Sequence, residues 1–62
     1  MTGSKIGEIQ LALTKAGFST KGIDNIYGRD TLKAVEAFQQ THNLEPDGEV
    51  GKVTATALGI QL

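Results

Sequence analysis

The chain has 62 residues, six Lys and Arg against seven Asp and Glu for a formal net charge of −1, 39% hydrophobic and 21% charged residues, and no cysteine. That length allows one domain, expected to span residues 1–62 with its core from 5 to 60, and a domain so short buries only about 60% of its unfolded surface. The balanced charge offers no field for nucleic acid or anionic lipid, and the absence of cysteine removes disulfides and thiolate metal sites. Packing alone must hold such a fold. The opening Met1-Thr2-Gly3-Ser4-Lys5 lacks a basic segment followed by an apolar run, and no stretch approaches the roughly 18 apolar residues of a membrane span. The expectation is a module without its own export signal, cut from a longer exported protein or delivered by another route such as lysis.

Ser4 reads as a helix N-cap, and Ile6, Ile9, Leu13 and Ala16 follow at helical spacing, predicting a first helix over about residues 5–16 that Gly17 ends. Phe18 to Gly28 reads as an ordered loop whose apolar members, Phe18, Ile23, Ile26 and Tyr27, pack inward. Leu32, Val35 and Phe38, with Ala34 beside them, predict a second helix over about 29–42, capped by Asn43. Pro46 and Asp47-Gly48 place a turn at 44–48, and a last short helix, about 52–58, ends at Gly59. Three helices with short connections and no strand alternation predict an all-α three-helix bundle.

Self-similarity is the most informative feature of the chain. Residues 24–34 lie over residues 47–57 at an offset of 23, with the shared pattern Asp-x-x-apolar-Gly-x-x-Thr-x-x-Ala-apolar. Each copy is a turn that launches a helix. The Asp accepts backbone N–H bonds, the Gly takes the N-cap, the Thr at the third helical position reaches back with its hydroxyl, and the small Ala permits close helix approach. A duplicated calcium loop would need oxygen ligands at positions 1, 3 and 5 and an acid at 12. Counted from Asp24, those positions hold Ile26, Gly28 and Val35, so no metal and no cofactor is expected.

These residues resemble the type 1 peptidoglycan-binding domain family, a three-helix module attached to many cell-wall hydrolases. The resemblance covers residues 6 to 58 and is carried by Ile9-Gln10, Leu13, Gly17-Phe18, Asp24-Asn25-Ile26-Tyr27-Gly28, Thr31, Ala34-Val35, Phe38-Gln39, Leu44, Asp47-Gly48, Val50-Gly51, Thr54 and Ala57-Leu58. It implies non-catalytic binding of cell-wall peptidoglycan, in the cell wall or periplasm, on behalf of an attached or associated hydrolase. A similar fold serves as the propeptide of some metalloproteases, so a module that packs on a partner domain is the alternative. Three departures stand out. Asn25 replaces a usual Gly but tolerates a left-handed backbone. Arg29 and Lys52 stand where Pro is frequent, and Ala55 replaces a frequent aromatic, which removes a possible sugar-stacking surface.

No catalytic residue is expected. His42, the only histidine, falls at the end of the second helix, where a histidinium complements the helix dipole. Glu8, Glu36, Glu45 and Glu49 are too scattered to flank a sugar as a glycosidase pair. A DNA-reading helix would need a basic face, whereas the second helix sets Arg29 and Lys33 against Asp30 and Glu36. Phe18 and Phe38 read as core. Gln10 and Gln39 either tie a loop to a helix or face a ligand. Arg29 and Lys52 oppose the macrodipole at the first helical position, a cost of about 0.3–1 kcal/mol, and read either as ordinary solvated surface charge, partly offset by Asp30, or as a site for stem-peptide carboxylates. The expected ligand-binding set is Tyr27, Arg29, Asp24, Asn25, Asp30, Gln10, Gln39 and Lys52. It would line a shallow groove between the 18–30 loop and the starts of the second and third helices, touching stem-peptide groups and N-acetyl sugars but neither nucleic acid nor membrane.

Overall fold

All three helices end on the same hydrogen-bonded device, and this device sets their lengths. The computed structural model describes residues 3–61, with α1 at Gly3–Lys15, α2 at Arg29–Thr41 and α3 at Lys52–Leu58. Residues 1, 2 and 62 of the expected domain, including Met1 and Thr2 of the opening segment, lie outside the described residues. After each helix one residue turns left-handed: Gly17 (φ 95°), Asn43 (φ 57°) and Gly59 (φ 82°). Its N–H and that of the next residue return to the last turn: Gly17 to Thr14 and Phe18 to Leu13, Asn43 to Gln40 and Leu44 to Gln39, Gly59 to Thr56 and Ile60 to Ala55. These are paired Schellman bonds, and the residue after each left-handed position, Phe18, Leu44 or Ile60, folds its apolar side chain against the core.

That core is Ile9 and Leu13 from α1, Ala34, Val35 and Phe38 from α2, Val50 from the second turn and Ala55 from α3. α1 packs against both other helices. Phe18 meets Phe38 edge to face at 5.7 Å between centroids, and His42 stacks on the other side of Phe38 at 4.1 Å. His42 Nδ1 also lies 3.0 Å from the Phe38 carbonyl, so this residue closes the end of α2, where the sequence puts it. Both phenylalanines belong to the interior.

Several expectations need correction. α1 already includes Gly3, so Ser4 stands inside the helix rather than capping it. Ala16 is exposed and Ile6 only partly covered, while Gly7 and Gln10 take up the buried face. Ile23 and Ile26 of the first loop do not pack inward, being 50% and 64% exposed; only Phe18 and Tyr27 turn to the core. Leu32 lies at the rim, and Thr31 occupies the interior in its place. Of the two repeated alanines Ala34 is buried and Ala57 exposed, so only the first supports the close helix approach expected of both. Ala55 faces the core at 2% exposure, so an aromatic at that position would change packing and not a sugar-stacking surface.

Lys21 (φ 61°) is left-handed without being glycine or asparagine, a conformation that costs an L-residue about 1–2 kcal/mol. Its neighbours hold it there. The Ser19 hydroxyl accepts the Lys21 N–H at 3.2 Å, and the buried Thr20 donates its hydroxyl to the Gly22 carbonyl at 2.8 Å.

Two left-handed glycines separate strain from crowding. A Cβ at Gly48 (φ 75°) would fall 2.2 Å from Leu32 Cδ1, whereas one at Gly59 (φ 82°) would meet open space. Gly59→Ala should therefore cost only the backbone term, about 1 kcal/mol, and Gly48→Ala about 2 kcal/mol or more, read from urea unfolding of the two variants. Equal costs would mean that the Leu32 side chain yields freely.

Candidate functional site

The two repeated turns are each built around one buried glutamine. Gln10 projects from α1 at 1% exposure, and its Nε2 donates to Asp24 Oδ1, the Ile26 carbonyl and Thr31 Oγ1, each at 2.9 Å. Its Oε1 accepts the N–H groups of Asp24 and Asn25, both at 3.1 Å. Gln39 repeats the arrangement from α2 at 1% exposure: Nε2 donates to Asp47 Oδ1 (3.1 Å), the Glu49 carbonyl (2.9 Å) and Thr54 Oγ1 (3.1 Å), and Oε1 accepts the Gly48 N–H at 3.0 Å. A carboxamide has two N–H donors, so three oxygens share them in each site. The amide orientation is fixed chemically, because backbone N–H groups only donate and carbonyls only accept.

Asp24 and Asp47 close the turns. Asp24 Oδ1 accepts the Ile26 N–H at 3.0 Å, and Asp47 Oδ1 accepts the Glu49 N–H at 2.9 Å. Position 25 of the first turn and position 48 of the second are both left-handed, at φ 62° for Asn25 and 75° for Gly48. Asn25 accepts this backbone and lays its side chain over Gly3 and Gly7 of α1. Gly28 and Gly51 then open α2 and α3 as N-caps with extended backbone and no side-chain cap. The repeated threonines do not reach back to the helix start as expected. Thr31 and Thr54 are buried, and their hydroxyls accept the glutamine amides instead.

Tyr27 joins the two halves. It is half-buried beside the core, and its hydroxyl donates to the Gly48 carbonyl. Burial, followed by the nearby carboxylates of Glu36, Asp47 and Glu49, pushes the phenol up to about 12.

The expected ligand-binding residues thus separate into two groups. Gln10 and Gln39 are interior posts whose polar atoms are occupied by the turns they hold. Asp24, Asn25, Arg29, Asp30 and Lys52 are exposed, and neither Arg29 nor Lys52 forms an ion pair among the described residues. No single groove unites the set. The cleft between the first loop and α2, about 410 Å³, is lined by Phe18, Ser19, Lys21, Asp30, Lys33 and Ala34, among others, and includes only Asp30 of the expected residues. The start of α3 borders two further clefts, one of about 310 Å³ with Glu45 and Asp47 and one of about 550 Å³ that includes Lys52, and a cleft of about 560 Å³ lies between α1 and the end of α3. Among the described residues, no group of three or more His, Cys, Asp or Glu gathers to hold a metal ion. No helix among these residues is long and apolar enough to cross a membrane.

Residues 2–58 match the family described as "Putative peptidoglycan binding domain". The chain belongs to this family. It is therefore a peptidoglycan-binding domain, with the three-helix all-α architecture already described. It is 38% identical over 60 residues to "Probable N-acetylmuramoyl-L-alanine amidase" of Bacillus licheniformis, an alignment covering 94% of this chain and 17% of that protein. It is 40% identical over 50 residues to "Spore cortex-lytic enzyme" of Halalkalibacterium halodurans, covering 81% of this chain and 15% of that one. The chain spans less than a fifth of either relative. No solved structure matches it significantly.

Two outcomes follow from the twin glutamine sites. Gln10→Ala and Gln39→Ala each strand several buried donors and acceptors and should each cost on the order of 2–4 kcal/mol in urea unfolding, against about 0.5 kcal/mol or less for the exposed Gln40→Ala. The Gln10 amide first and the Ile26 N–H second hold the Asp24 carboxyl below its ordinary 3.8; for Asp47 the Glu49 N–H leads and the Gln39 amide follows. Both folded values lie below the unfolded one, so the stability they confer is present above pH 3.8 and disappears as pH falls through the folded values. Thermal melts from about pH 6 to about pH 2 should show the midpoint dropping in the acid range, with a shallower drop in the Asp24→Asn, Asp47→Asn double variant.

Proposed function

We propose that this domain holds an attached or associated cell-wall hydrolase against peptidoglycan and performs no chemistry itself. The match of residues 2–58 to the peptidoglycan-binding family carries this reading. The two relatives, an amidase and a cortex-lytic enzyme by name, support the hydrolase partner and a location at the wall or outside the membrane. The glutamine posts are the reason a ligand meets a formed surface: they fix both turns from within, so the outer edges need no ordering on contact. Asp24, Asn25, Arg29 and Asp30 lie along one exposed stretch from the first turn into α2, and Lys52 opens α3. Polar groups of the stem peptide and N-acetyl sugars would rest on this edge, with Tyr27 setting the distance between the turns.

Affinity should be weak. A shallow contact must first offset an estimated 4 kcal/mol or more of rigid-body freedom, which places binding in the micromolar to millimolar range. Tethering supplies the benefit, since a polymer that repeats its site keeps an attached enzyme at high local concentration.

The test is co-sedimentation of the domain with purified sacculi. Wild type should pellet, and Arg29→Ala should pellet about three- to tenfold less with unchanged helicity and a weaker salt dependence. Wild type left in the supernatant at about millimolar binding sites would remove the basis for wall targeting.

A further inference from the structure

Asp47 and Gly48 form the one Asp-Gly step in the chain, and this pairing carries a chemistry of its own. The backbone nitrogen that follows an aspartate can attack the side-chain carboxyl, and glycine hinders that attack least because it has no side chain and the widest backbone freedom. A bond forms between Gly48 N and Asp47 Cγ, the amide proton and the carboxyl hydroxyl leave as water, and a succinimide ring results. Water then opens either ring carbonyl. Addition at Cγ restores aspartate, whereas addition at the main-chain carbon leaves isoaspartate, with the chain running through Cβ and Cγ.

The groups this reaction must move are all held. Gly48 is buried, and its N–H donates to Gln39 Oε1 at 3.0 Å. The nitrogen has to lose that proton before it attacks, and a buried, bonded N–H is shielded from base for the same reason that it exchanges slowly with solvent. The Gly48 carbonyl accepts the Tyr27 hydroxyl, so the glycine is gripped on both sides. The electrophile is fixed by the same carboxamide: Asp47 Oδ1 accepts Gln39 Nε2 at 3.1 Å and the Glu49 N–H at 2.9 Å. Those bonds also keep the carboxyl ionised, in the form without a hydroxyl to lose.

The first turn differs at one point. Asn25 follows Asp24, and its N–H is held by Gln10 Oε1 at 3.1 Å, but its own side chain also crowds the nitrogen. In the second turn the bonds are the whole protection.

We propose that Asp47 is a latent isoaspartate site, and that the Gln39 carboxamide is the latch that keeps it closed. Isomerisation proceeds when the second turn opens locally, and the product, one carbon longer in the main chain, no longer brings Gly48 back to Gln39 and Tyr27. This inference is independent of what the domain binds.

The experiment incubates the whole domain at neutral pH, folded and unfolded in urea, and counts isoaspartate at position 47 by peptide mapping. Nuclear magnetic resonance follows exchange of the Gly48, Val35 and Phe38 amides in parallel. Folding should slow isomerisation about tenfold or more, by the same factor as Gly48 exchange and by less than the exchange of Val35 and Phe38, whose opening requires the core to unfold. Gln39→Ala, held where circular dichroism shows it folded, should isomerise about fivefold faster than wild type, and Gln10→Ala should leave position 47 near the wild-type rate. A folded wild type that isomerises as fast as the unfolded chain would overturn the proposal. So would equal acceleration in the two glutamine variants, because global unfolding would then govern the reaction. Should Gln39→Ala fail to fold, wild type decides alone: isomerisation slowed as much as Val35 and Phe38 exchange, or far less than Gly48 exchange, means that the latch is not what protects the site.

Discussion

Two buried carboxamides organise this molecule. A domain of 62 residues without cysteine has little core to spend on ordering its loops, and its longest connection, between α1 and α2, would ordinarily be its loosest part. Gln10 changes that by placing a donor and an acceptor inside the loop, so that Asp24, Asn25 and Ile26 meet fixed partners from α1 while Thr31 brings in α2. Gln39 does the same for the shorter second turn. Satisfied polar networks of this kind impose geometry that apolar packing does not, since moving one group leaves several others unpaired. Tyr27 then bonds the first turn to the second through the Gly48 carbonyl, and the two sites become one rigid edge.

Much of this was legible in the sequence because each terminator has a local physical cause. Gly17, Asn43 and Gly59 mark helix ends through the left-handed backbone they accept, and Gly28 and Gly51 mark starts within a repeated pattern. The repeat also identifies Asp24 with Asp47 and Thr31 with Thr54. What the repeat does not disclose is where their side chains go. The glutamines precede their turns by 14 and 8 residues, so they fall outside a fixed offset of 23, and only the fold shows that both reach equivalent points. Apolar character misled in the first loop: Ile23 and Ile26 look like core residues, but the glutamine fills the space beneath the turn and leaves them outside. Ser4 illustrates a different limit, since a good capping residue can also stand within the first turn of a helix that begins earlier.

A domain whose turns are held from within suits a weak binder that acts by tethering. Nothing in its surface needs to fold on contact, so even a small polar interaction is not consumed by ordering costs. The clefts are open depressions on the outside of a minimal bundle, the one histidine is stacked on Phe38 at a helix end, and Glu8, on the cleft between α1 and α3, is paired with Lys5.

The two halves share a backbone plan but not a surface. Around the second turn the sequence sets Glu36, Glu45, Asp47 and Glu49 against Lys52, and three of these carboxylates contribute to the raised phenol of Tyr27. Around the first turn, Lys21, Arg29 and Lys33 outweigh Asp24 and Asp30. Duplication of the internal lock with divergence of the outer charge leaves the two turns alike inside and different outside, because the bonds that hold each turn are made by buried groups and do not constrain the residues on its surface.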